Sequence, residues 1–148
     1  MMRLHGWESR IIDWASTTEG KSFLWGELDC MQLGIQALES MYGEEIRARL
    51  KVPAYGTPRE ALHVLSAFGN IPSAYDSLLQ AWKVPAQYGH HGDLVLVEGG
   101  DLPWSTFVWV SDHLLGIREN STVQRWAPAL LQVQEWGASA TVMRFPNG

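Results

Sequence analysis

The residues best suited to chemistry in this chain are Cys30 and the histidines that could serve it. Cys30 is the single cysteine among 148 residues. It follows Asp29 in Phe23-Leu24-Trp25-Gly26-Glu27-Leu28-Asp29-Cys30, where an aromatic loop runs into an apolar stripe at helical spacing. A thiol at a helix start faces unpaired backbone N–H groups carrying partial positive charge, which favour thiolate over thiol. A cysteine hydrolase needs that thiolate, and a histidine to take its proton and return it to the leaving amine. His90 and His91, just before an apolar run, are the candidates for that base; His113 follows a second run, and His5 and His63 carry no motif. The competing reading of Cys30 is packing, because a lone cysteine often behaves as a small buried hydrophobe. Asp29 is placed to cap the helix, and its charge would work against the thiolate.

Metal chemistry has less to build on. One cysteine makes neither an internal disulfide nor a Cys-rich metal site. The neighbours His90 and His91 point to opposite faces of extended chain, and no third ligand has metal-site spacing. No metal and no cofactor are expected.

The elements that must position these residues fall into two halves. Trp7, Ile11, Trp14 and Ala15 share one helical face, and the helix closes at Thr17-Thr18-Glu19-Gly20. From Cys30, the stripe Met31, Gly34, Ile35, Leu38, Met41 and Tyr42 predicts a helix ended by Gly43. Small residues at Cys30 and Gly34 would let another element pack close. Thr57-Pro58-Arg59-Glu60 is a capping box opening a helix that stops at Gly69, and residues 75–82 predict another. Beyond Gly92 the period shortens. Strands are expected over 93–97, 106–110, 113–117, 122–126 and 140–145, with a tight turn at Ser111-Asp112 and a helix over 128–136. Helices followed by a small antiparallel sheet give an α+β fold, expected as one domain over residues 1–148.

This layout resembles the NlpC-type papain-like peptidases, in particular the compact versions encoded among phage tail genes. The resemblance rests on Phe23-x-Trp25-Gly26-x-x-Asp29-Cys30, on Gly92-Asp93-Leu94-Val95 and on Arg144-Phe145-Pro146, which occur in the family's order and span most of the chain. It implies a papain-like fold with Cys30 at the nucleophile position. The second strand departs from the family, whose active members open it with a histidine. Ser105, or Thr106, stands in that place, and neither titrates near neutral pH. Phe107 replaces the family's glycine and is expected to crowd the space over the nucleophile.

The resemblance therefore implies a phage tail tip or baseplate component with a degenerate peptidase fold, docking to other tail proteins in the virion after synthesis in the host cytoplasm. Eight tryptophans suit such a role, since Trp is enriched in interface hot spots. Trp104, Trp109 and Trp25 are the candidate partner contacts. One alternative is an active peptidase using Cys30 with His90 or His91 on cell-wall peptides; another is an α+β assembly factor unrelated to tails. A formal net charge of −5, with no cluster of Lys and Arg, argues against nucleic acid as partner. No apolar run is long enough to cross a bilayer, and the first residues carry no signal-peptide pattern.

Overall fold

The computed structural model describes residues 1–43, 45–99, 103–132 and 139–147. Helix α1 spans Trp7–Thr18, α2 Cys30–Tyr42, α3 Glu45–Leu50, α4 Pro58–Phe68 and α5 Ile71–Leu79. Strands follow at Trp82–Val84 (β1), Leu94–Glu98 (β2), Trp104–Val110 (β3), His113–Gly116 (β4), Gln124–Trp126 (β5) and Ala140–Arg144 (β6). The fold is α+β, with N-terminal helices and an antiparallel sheet in the order β1-β6-β2-β3-β4-β5. Among the described residues, no helix is long and apolar enough to cross a membrane.

Local chemistry explains most boundaries. Asp29 caps α2, its carboxylate accepting from the Gln32 N–H. Thr57 caps α4 and Glu60 reaches back to the Gly56 N–H, as the capping box requires. Ser111, at φ 52°, makes the tight turn between β3 and β4. The helix expected over 75–82 begins earlier, at Ile71, because the Asn70 side chain accepts from the Ser73 N–H. It also ends earlier, and Trp82 opens β1 instead. Only residues 128–132 of the expected last helix are described, as a 3-10 turn; the rest lies outside the described residues.

The sheet is apolar on both faces, and strand alternation sorts the side chains. Leu94, Leu96, Trp104, Val108, Val110, Leu115 and Met143 join the helices in the main core. Val95, Phe107, Trp109, Leu114 and Val142 form a second cluster on the opposite face, closed by Leu131. Helix α2 lies directly on β3. Gly34 is what permits this, since a Cβ there would come within 2.8 Å of Thr106 Cγ2.

Candidate functional site

Cys30 is the first residue of α2 and is buried at 6% exposure. Its Sγ donates to the Trp104 carbonyl at 3.7 Å, so the thiol rests against the opening residue of β3. Burial pushes the thiol pKa up to about 12, and the neighbouring Asp29 carboxylate adds to the rise. The backbone N–H groups of Thr106, Met31 and Cys30 itself pull the other way and lose. The thiolate expected from a helix start is thus overruled by desolvation, which penalises the charged form of any buried acid.

Asp29 is nearly inaccessible and fully engaged. Oδ1 accepts from the Gln32 N–H at 2.8 Å; Oδ2 accepts from the Gly26 N–H at 2.9 Å and the Tyr55 hydroxyl at 2.7 Å. Gln32 Nε2 in turn donates to the Tyr55 hydroxyl at 3.4 Å. Desolvation and the bond to Asp29 hold the Tyr55 phenol well above its ordinary range. Among the described residues, the groups placed next to Cys30 are therefore neutral or negative, and none is an imidazole.

The face of β3 above Cys30 also differs from expectation. Thr106 meets Gly34, and Trp104 and Val108 belong to the helix-side core, so Ser105 falls on the other face by alternation. The position facing the nucleophile helix is Thr106. Phe107 does not crowd Cys30: it packs edge-on to Trp126 at 5.9 Å in the opposite cluster.

His90 and His91 lie at the other end of β3. The register pairs Leu94 with Val108 and Glu98 with Trp104, so residues ahead of β2 meet the end of β3 and not its start. His91 Nδ1 accepts from the Ser111 N–H at 2.8 Å, its Nε2 sits 3.2 Å from the Glu8 carbonyl, and its ring stacks on Trp7. Seven residues separate Ser111 from Trp104, about 23 Å of strand. His90, exposed, approaches its neighbour's carbonyl at 3.1 Å. His113 pairs with Asp112 at 3.3 Å beside the same turn. The antiparallel register carries both His90 and His91 away from Cys30.

The three aromatics expected as partner contacts differ in exposure. Trp104 and Trp109 are buried, at 8% and 9% exposure, one in each core cluster. Trp25 is half-buried, packed edge-on against Phe23 at 4.7 Å. Among the described residues, the exposed large aromatics are Trp82 and Tyr88, which sequence reading passed over. They share a neighbour: Trp82 is the register partner of Arg144, and Arg144 Nη2 donates to the Tyr88 carbonyl at 2.7 Å.

Arg144 also completes a buried ion pair that sequence reading did not assemble. Its Nε and Nη2 donate to Asp93 Oδ1 and Oδ2 at 3.0 and 2.9 Å, and the His90 N–H adds a third bond to that fully buried carboxylate. The available signal was an Asp opening an apolar run, which needs a cation when buried. Among the described residues, no group of three His, Cys, Asp or Glu is arranged to hold a metal ion.

The molecule so defined is an α+β protein whose helix-borne cysteine is sealed against the sheet. The chain belongs to the family described as Domain of unknown function (DUF6950), whose model matches residues 2–134. No curated protein matches it.

Proposed function

We propose that this chain is a non-catalytic docking subunit of a phage tail tip or baseplate, built on an NlpC-like fold whose nucleophile position has become core. The closure of Cys30 carries the reading: a buried thiol, held protonated beside a carboxylate and with no imidazole against it, is not a hydrolase nucleophile. The sequence motifs support the tail assignment. Two of them meet in the fold, since Asp93 of the Gly-Asp segment and Arg144 of the Arg-Phe-Pro segment form one ion pair.

The docking surface in this reading is the aromatic pair Trp82 and Tyr88, beside the edge strand β1. Exposed aromatics at a sheet edge suit a protein partner, which can bury their area and keep their polar ends hydrogen-bonded. The partner is a neighbouring tail protein and the location the assembled tail.

Alkylation of Cys30 across pH, with denatured chain as reference, tests the chemistry. Slow labelling, with a midpoint at or above the ~8.5 of a free thiol, is expected. Fast labelling with a midpoint well below that value would restore the peptidase reading. Detection of the chain in purified virions tests the location; its absence from them would favour an assembly factor.

A further inference from the structure

We infer that residues 51–57 form a latched strap over the Cys30 site, released without unfolding the sheet. This rests on reading Cys30 as a closed position and goes on to name what closes it. The segment joins α3 to α4 and has no regular structure between Val52 and Gly56. Among the described residues, the backbone of residues 52–55 makes no hydrogen bond. Lys51, at φ 51°, turns the chain out of α3 in the left-handed region, which is uncommon for a residue other than glycine. At the far end, Thr57 and Glu60 fix the chain to the start of α4.

Between these ends, one side chain is inserted. Pro53, Ala54 and Gly56 are exposed and Val52 is half-buried, whereas Tyr55 is buried with its hydroxyl on Asp29. Tyr55 lies close enough to Cys30 for the thiol to add a small part to the rise of the phenol's pKa. The strap crosses directly over the loop that leads into α2: a Cβ on Gly26, at φ 80°, would fall 1.7 Å from the Tyr55 carbonyl oxygen.

Space remains on both sides of the strap. Beneath Val52 is an apolar crevice of about 20 Å³ that reaches Met31, the residue after Cys30. Outside, an open groove of about 600 Å³ runs along Pro53, Ala54 and Tyr55 against Leu62 and His63 of α4. A segment anchored at both ends and held between them by one buried side chain, whose hydroxyl donates to Asp29 and accepts from Gln32, is the kind of unit that opens locally while the core stays folded.

The test is the native-state alkylation rate of Cys30 with iodoacetamide in three proteins: wild type, Tyr55→Phe and Gly26→Ala. Tyr55→Phe keeps the ring and removes the latch; Gly26→Ala pushes the strap off its track. Each is expected to label about tenfold to a hundredfold faster than wild type, the first through the lost hydroxyl bonds and the second through the clash with the Tyr55 carbonyl. Global unfolding free energy from urea titration is measured alongside. An opening free energy, taken from the labelling rate relative to denatured chain, that equals the global unfolding free energy in all three proteins would overturn the strap, as would unchanged rates in both folded variants. Fast labelling of the wild type would instead overturn the closed reading of Cys30, so the two failures are distinct.

Discussion

The two ends of strand β3 each bury a carboxylate, and they satisfy it by opposite means. At the Trp104 end, Asp29 is held by two backbone N–H groups and a phenol, with no cation. At the Trp109 end, Asp93 is held by the bidentate Arg144 guanidinium and a backbone N–H, with histidines close by. Cys30 lies at the end where the described groups carry only negative charge, and the imidazoles at the end that has no thiol. The parts of a cysteine hydrolase are all present, set about 17–23 Å apart along one strand. Distance, and not residue content, is what keeps Cys30 and these imidazoles apart.

The contrast is tested most severely by Arg144→Met. Removing the guanidinium leaves Asp93 charged and unpaired in the interior, and a loss of about 3–5 kcal/mol is expected in urea denaturation. Asp29→Ala removes the buried charge itself and strands only neutral donors, so a smaller loss of about 2–3 kcal/mol is expected by the same measurement. If the two losses came out equal, the distinction between charged and neutral partners would carry no energetic weight.

The third effect is one of pH. Cys30 binds its proton more tightly when folded than when unfolded, so its contribution is present in full below the unfolded pKa near 8.5. It is lost as pH rises through that value toward about 12. Wild type should lose about 2 kcal/mol more than Cys30→Ala between pH 7 and pH 10, which denaturation at the two pH values would show. Equal losses would mean that the thiol is not desolvated. The smallest effect is expected at Tyr88→Ala, which should change stability by less than about 0.5 kcal/mol. Under the proposed docking role, the same variant should weaken capture of a neighbouring tail protein. A large stability loss there would make Tyr88 part of the fold and not of a docking surface.

Helical period and caps made α1, α2 and α4 legible in the sequence, together with the β3–β4 hairpin. Strand β1 was not legible, because three residues carry no alternation and its partner β6 lies far along the chain. Asp29 announced itself as a cap through its position alone. The face occupied by Ser105, Thr106 and Phe107 could not be read, because both sides of this sheet are covered and both sets of alternating residues are apolar. For the same reason Trp104 and Trp109 looked available for partners when each fills a core. The ion pair between Asp93 and Arg144 joins residues 51 positions apart, a contact that local patterning does not encode.

Strand β6 sits between β1 and β2, although it is the last of the strands in the chain. During synthesis the helices and the β2–β5 meander can assemble while that place is still vacant. Until residues 140–144 emerge, β1 has no partner and β2 presents an unpaired apolar edge, a template for other chains. The sheet is finished like an arch, by a keystone set last, and the nascent protein depends on whatever guards that gap in the meantime.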